Sequence, residues 1–279
     1  RVDDFIWDST VKLHFMLPTN SAYTKLFKRK EMMILGYDFN AQYYVDNDDT
    51  SSLNHYLWTD LFGFFTDLFN QNISRNGFYG KLRAEWSDVS DPIDILFRDL
   101  QSPGFPVTDE LLKVRRQSVT ADAAVGWKGN RFDAELGYDF YWLDFDQDAY
   151  EQANQTQHSV YLEAGYKVPN TRDLRAYLRA RYSILRYEEP LLNDADIQHY
   201  VLGAEGIAIS KKIRFVGEFG WLIWDHDESG LTGDDKDYNN ATYLLRLIYR
   251  PIEGRNLRIQ FEAAQEVNWS VISNYRLDR

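Results

Sequence analysis

Residues 131–145 read RFDAELGYDFYWLDF, and within them Phe132, Ala134, Leu136, Tyr138, Phe140 and Trp142 alternate with Asp133, Glu135, Gly137, Asp139 and Tyr141. Successive side chains of an extended strand point to opposite faces, so one face of this segment is apolar and aromatic while the other carries the charges. Strands of soluble sandwiches average about 5–6 residues and turn their apolar face into a core. Here the alternation runs on into the range of about 9–11 residues that a tilted strand needs to cross a bilayer. The pattern recurs along the whole chain. It predicts an all-β fold, a transmembrane antiparallel up-and-down β-barrel.

Outward from that stretch, about twelve strands are predicted, the usual mode for this architecture being repeated hairpins. They lie near Phe5–Phe15, Met32–Tyr44, His55–Phe65, Phe78–Ser87, Val114–Trp127, Phe132–Leu143, Ser159–Val168, Leu174–Leu185, His199–Ile209, Ile213–Trp224, Ala241–Tyr249 and Leu257–Ser270. In Leu174–Ile184 the even positions are Leu, Ala, Leu, Ala, Tyr and Ile, while Arg175, Arg179 and Arg181 share the other face. Facing lipid, each arginine would cost about 2–4 kcal/mol at the bilayer midplane, so these three are assigned to the interior.

The connections alternate in length. Lys128–Arg131, Pro169–Asp173, Ser210–Lys212 and Pro251–Asn256 are short; Asp46–Asn54, Asp88–Lys113, Asp144–His158, Arg186–Gln198 and Asp225–Asn240 are long and polar. Outer-membrane barrels keep short turns in the periplasm and long loops outside. On that assignment Leu17–Glu31 and Thr66–Gly77 fall on the periplasmic side despite their length. The first strand then descends from outside and the last ascends, so residues 1–279 are expected to be one barrel domain lacking strands at both ends, part of a larger barrel of about fourteen to eighteen strands. No secretory signal precedes Arg1, and the numbering is expected to begin after a removed one. No linker or composition shift divides the chain, the only internal repetition is the hairpin, and the 7 prolines sit mainly in connections.

Composition fits. A mean hydropathy of -0.51 and the absence of any long apolar run exclude a helical membrane protein, which needs about 20 consecutive apolar residues per span. The 19 Tyr and 8 Trp suit the aromatic girdles that position a barrel between headgroup layers. The formal net charge of -12 resides mainly in the long loops, whereas the periplasmic connections carry Lys25, Lys28, Arg29, Lys30, Lys128, Arg131, Lys211, Lys212 and Arg255. That distribution argues against nucleic acid as a partner and for outer-membrane lipid and lipopolysaccharide as surroundings.

Several segments, in order, resemble the β-barrel porin family found in bacterial exopolysaccharide and capsule loci: DDFIWDSTVKLHFMLP, GYDFNAQYYVDNDDTSSLNHYL, LRAEWSDVSDP and ELGYDFYWLDFDQDAYEQANQTQHSVYLEAGYKV. The resemblance spans most of the chain through architectural motifs. It implies a bacterial outer-membrane barrel of about sixteen to eighteen strands acting with periplasmic polysaccharide export proteins. The opening and closing strands of that family have no counterpart here, and no catalytic residue or cofactor is implied.

By parity the interior carries Asp133, Glu135, Asp139, Glu163, Arg175, Arg179, Arg181, Glu205, Arg214, Glu218, Arg246, Arg258 and Glu262 as its pore-lining candidates. Glu135 and Glu163 are expected beside the three arginines, and the last five residues named with Glu205 set aside are expected to cluster. Such a face can hold water and hydroxylated or anionic chains, or its charges can simply pair with one another in a structural wall. Tyr44, Tyr79, Tyr141, Tyr161 and Tyr177 share it, either to stack on sugar rings or to fill space. The acidic run from Asp225 through Asp227, Ser229 and Gly230 is reminiscent of a calcium loop but has Lys236 at the twelfth position, where a bidentate Glu is needed, so no metal site is assigned. The chain has no H-E-x-x-H, no G-x-S-x-G and 0 Cys; His158, Ser159 and His199 are the least implausible start for catalysis, and a non-enzyme is expected.

Overall fold

A computed structural model describes residues 6–18, 31–44, 52–64, 77–92, 113–146, 154–171, 173–188, 194–207, 212–226, 238–250, 259–265, 267–269 and 276–278. They are strands and turns, with no helix among the described residues. The strands are β1 (Ile6–Pro18), β2 (Glu31–Tyr44), β3 (Ser52–Phe64), β4 (Gly77–Pro92), β5 (Lys113–Lys128), β6 (Phe132–Phe145), β7 (Gln155–Lys167), β8 (Asp173–Tyr187), β9 (Ala195–Ile207), β10 (Ile213–His226), β11 (Tyr238–Tyr249) and β12 (Ile259–Ala264). They form one 12-stranded antiparallel sheet in chain order, each strand bonded to its sequence neighbours. The sheet is not closed: β1 and β12 are its edges.

All twelve predicted strands are present, with two differences. The segment Leu257–Ser270 is not continuous, because after Ala264 a separate β13 (Val267–Trp269) pairs with β14 (Arg276–Asp278) in a sheet of its own. Most strands also outrun their predicted bounds at one end. β4 continues to Pro92, β6 to Phe145, β8 to Tyr187 and β10 to His226, while β7, β9 and β11 begin early, at Gln155, Ala195 and Tyr238. Every one of these extensions lies away from the short turns, at what is here called the loop end.

Two short turns are described. Between β5 and β6 the Gly129 amide donates to the Phe132 carbonyl at 2.8 Å. Between β7 and β8 the Val168 amide donates to the Leu174 carbonyl at 2.9 Å, the Thr171 hydroxyl donates to the Val168 carbonyl at 2.7 Å, and Asn170 takes a φ of 62°, the left-handed region that asparagine tolerates best after glycine. At the same end Gly206 has φ 124°, and a Cβ there would stand 1.6 Å from the Asp173 carbonyl oxygen, so only glycine lets the end of β9 pair with the start of β8.

The two faces differ sharply. Of the exposed large hydrophobic side chains, all but Met16 lie on the parity of Leu136, Leu178 and Leu202, which are 50 %, 62 % and 60 % exposed. Single exposed leucines are ordinary, but this face is apolar from β1 to β12, and leaving large side chains of this kind in water forfeits about 1.5–3 kcal/mol each. The buried hydrophobics, from Val89 to Tyr238, all lie on the opposite parity.

Candidate functional site: the ionic face

Directly opposed residues share a face, so the register decides which charges meet. Glu163 stands opposite Arg179 and Glu135, Arg175 opposite Glu205 and Lys167, and Asp139 opposite Asp122. Contacts then reach across intervening strands. Arg175 of β8 bridges Asp133 of β6, Glu163 of β7 at 2.7 Å and Glu205 of β9 at 3.3 Å. Arg179 donates its Nε to Glu163 at 2.8 Å and approaches Glu218 of β10 at 3.7 Å, while Arg181 meets Asp139 at 2.5 Å. Glu135 is held by three donors from two strands, namely the Tyr79 hydroxyl and the Lys81 ammonium of β4 and the Tyr161 hydroxyl of β7, each at 2.7 Å.

Six candidate residues thus join one lattice across β6–β10, namely Asp133, Glu163, Arg175, Arg179, Glu205 and Glu218, while Arg181 pairs with Asp139 and Glu135 with Lys81 beside it. Two expectations change. Glu135 binds Lys81 and two tyrosines instead of the arginines, because it points toward β4. The later group does not cluster: Glu218 is taken by Tyr177 and Arg179, Arg246 pairs with Glu262 at 2.7 Å on β11 and β12, and Arg214 lines a small chamber of about 300 Å³ near the short turns with Lys128, Lys167 and Arg175. Arg258 lies outside the described residues, as do Asp227, Ser229, Gly230, Lys236 and the side chain of Tyr44. Among the described residues no group of three His, Asp or Glu is placed to hold a metal.

The lattice borders a cavity of about 820 Å³ that reaches from Asp60 on β3 to Arg181 on β8, with Asp122, Glu135 and Glu163 between them. A cavity spanning six strands requires the sheet to curl with the ionic face inward. The tyrosines on this face are not open platforms. Tyr177 lies over Gly203 and Tyr161 over Gly137, each directly opposite, where a Cβ would come within 2.3 Å and 2.2 Å of the ring. Trp58 over Gly36 and Tyr79 over Gly126 repeat the arrangement. Arg175 and Arg179 stand over the Tyr177 ring at 5.1 and 5.3 Å, and Arg181 over that of Tyr161 at 5.5 Å. Backbone on one side and guanidinium on the other leave these rings as rigid struts.

Toward the loop end the polarity of the two faces exchanges on β4, β6, β8 and β10, while β5 and β7 between them keep Arg116, Gln155 and Gln157 on the ionic face. On the ionic face, Asp139 and Tyr141 of β6 are followed by Leu143 and Phe145, Arg181 of β8 by Ser183 and Leu185, and Glu218 of β10 by Gly220 and Leu222. On the opposite face Trp142 gives way to Asp144, Ile184 to Arg186, and Trp86 to Asp88. The new polar positions are satisfied there: Asp88 accepts two bonds from Arg115 at 2.9 and 2.6 Å, and Arg186 reaches Asp196 at 3.2 Å.

Just below the exchange, the apolar face carries five aromatic side chains tied to polar partners. Tyr37 bonds His55 at 2.8 Å, Tyr138 bonds His158 at 2.6 Å, Tyr182 donates to Asp196 at 2.7 Å, Tyr200 to Gln198 at 2.9 Å and Trp221 to Asn239 at 2.5 Å. In every case the partner lies nearer the loop end. The first two pairs are copies, since Phe39 packs on His55 at 5.1 Å and Phe140 on His158 at 5.3 Å. Their source is the tetrapeptide GYDF, present at 36–39 and again at 137–140. The repetition therefore goes beyond a generic hairpin, and the identical tetrapeptides were its visible signal. His158, Ser159 and His199 do not converge: His158 is on the apolar face, Ser159 donates to Ser183 at 2.7 Å and His199 bonds Thr242 at 3.0 Å.

No protein-family model matches this chain and no curated protein is similar to it.

Proposed function

We propose that this chain forms wall strands of a β-barrel in the bacterial outer membrane and that its ionic face lines a porin-like channel assisting the export of an exopolysaccharide. The single observation carrying the membrane part is the exchange of polarity along the strands. A sheet in water has no reason to be apolar-out over most of its length and polar-out beyond it, whereas a strand crossing lipid and projecting into water has one. Dimensions agree: Leu174 to Ile184 covers about 33 Å of strand at about 3.3 Å per residue, or about 25 Å of height at a tilt of about 40°, the thickness of the apolar band of such barrels. The five tied aromatics sit where an interfacial girdle belongs, with polar tips toward the headgroups. In lipid the free edges of β1 and β12 must take further strands, because each unpaired backbone group would cost several kcal/mol.

The channel part rests on the curled ionic face and its cavity. Mixed signs and packed hydroxyls suit a hydrated, hydroxyl-rich chain that slides without binding tightly, and the polymer itself is inferred from the family resemblance. The reading of a non-conducting scaffold draws on one specific observation, the internal pairing of the arginines. Thiol accessibility separates the two, and the chain contains 0 Cys to interfere. In vesicles, Thr120→Cys, which lines the cavity, is expected to react with a charged thiol reagent, while Ala123→Cys on the apolar face of the same strand does not. An unreactive Thr120→Cys would sink the channel in favour of a filled scaffold; equal reaction at both would sink the membrane.

A further inference from the structure

The charges of the inward face are not spread evenly along the strands. Near the short turns, the chamber of about 300 Å³ is bordered by four cations on the inward parity, Lys128 of β5, Lys167 of β7, Arg175 of β8 and Arg214 of β10. Arg175 is committed, since it bonds Asp133 through Nε and Nη2, Glu163 at 2.7 Å and Glu205 at 3.3 Å. That accounts for two of the chamber's three carboxylates, Asp133 and Glu205, and leaves Lys128, Lys167 and Arg214 to share the third, Asp173. Lys167 donates to the Gly129 carbonyl at 3.2 Å, which holds its ammonium beside the chamber and uses one of three donors. Arg214 is exposed and meets no carboxylate among the described residues. Farther along the face Lys81 sits on Glu135, Arg179 on Glu163 and Arg246 on Glu262, each at 2.7 Å. A wall that needed only such pairing has no use for a cationic surplus. The connections point the same way, because the short ones carry Lys128, Arg131, Lys211 and Lys212 whereas long ones such as Asp225–Asn240 are acidic.

We propose that this chamber is an anion subsite at the periplasmic mouth that takes the carboxylate of an acidic sugar, so that the polymer carried is an acidic polysaccharide. This rests on the channel reading. The chamber lies at the small end of the range of about 300–1,000 Å³ for small-molecule sites, a size for one sugar unit at a time. The Arg214 guanidinium offers a carboxylate two parallel N–H donors, and the Lys167 ammonium adds a compact charge. Asp173 and Glu205 beside them can accept from sugar hydroxyls. Because the site is wet and partly compensated, it holds a unit weakly and lets it move on, as conduction requires. A chain of formal net charge -12 has no general attraction for polyanions, so a preference for one must come from a local site.

The test titrates the full chain in lipid nanodiscs with a fluorescently labelled hexamer of galacturonate and, separately, with one of glucose, read by anisotropy. The galacturonate hexamer is expected to bind at least about tenfold tighter, and Lys167→Gln with Arg214→Gln to abolish that preference, since charge-assisted contacts are the strong ones. If this double change impairs insertion, Arg214→Gln alone is compared instead. Arg131→Gln with Arg250→Gln removes two exposed cations at the same end but outside the chamber, and is expected to leave the preference within about twofold. Equal binding of the two hexamers by the unaltered protein overturns the subsite. So does a preference that survives in the chamber variant, and so does an equal loss in both double variants, which would mark the attraction as general charge. Binding does not require conduction, so failure of the channel reading is recognised separately, by an unreactive Thr120→Cys.

Discussion

The middle of the sheet and its loop end use the same strands and the same alternation with opposite meaning. In the middle, Leu178 and Leu202 look outward and Arg179 and Glu163 inward; at the loop end, Arg186 and Asp196 look outward and Leu185 and Ala195 inward. Nothing in the backbone changes between them, because β8 and β9 stay paired in register from Asp173↔Ile207 to Leu185↔Ala195. What changes is the solvent each face requires. Periodicity reports that two faces differ, and only the position along the strand tells which one wants lipid, water or a dry interior.

The largest expected effect sharpens the contrast on the inward face. Leu185→Ala removes a side chain only 6 % exposed and should cost about 2–5 kcal/mol of folding free energy, as buried leucines do. Urea titration of the protein folded in lipid vesicles measures it, and a cost below 1 kcal/mol, on the order of an exposed site, would mean that the inward face is not packed at this end. On the outward face Leu202→Arg should cost about 2–4 kcal/mol while Gln198→Arg, four residues nearer the loop end on the same strand, should cost about 0–1 kcal/mol. Equal costs in the same titration would erase the boundary between the regions.

Glu163→Ala comes next. It strips a carboxylate shared by Arg175 and Arg179 and should cost about 1–3 kcal/mol, the usual penalty for orphaned partners. The double change with Arg179→Ala should cost less than the sum of the two singles; strict additivity would show that the lattice is not coupled. At the small end, Arg246→Gln should leave the urea midpoint unmoved, because its pair with Glu262 is solvated, and a clear drop would mean that this part of the sheet is more enclosed than its exposure implies.

Much of the fold was legible because the membrane signal is local: alternation over Phe132–Leu143 or Leu174–Leu185 needs no knowledge of neighbours. The same reasoning cut strands short at the loop end. Past Trp142, Leu143 and Phe145 take the polar parity, so a reader following apolar-out alternation stops there, while the ladder itself continues. The charged residues were found for the same local reason, but their pairing was not. Glu135 lies beside the arginines in parity and yet turns to Lys81, and Glu218 joins Arg179 instead of Arg246, because such contacts cross an intervening strand and depend on several registers at once.

The sequence by itself determined that this protein is an antiparallel sheet with one apolar and one ionic face, because strand geometry converts residue parity directly into direction. Tertiary structure alone decided which acid each arginine meets, which glycine each tyrosine covers and which inward side chains at the loop end are buried. Those outcomes rest on stagger between strands and on what fills the space before each face, and neither quantity is written in any single strand.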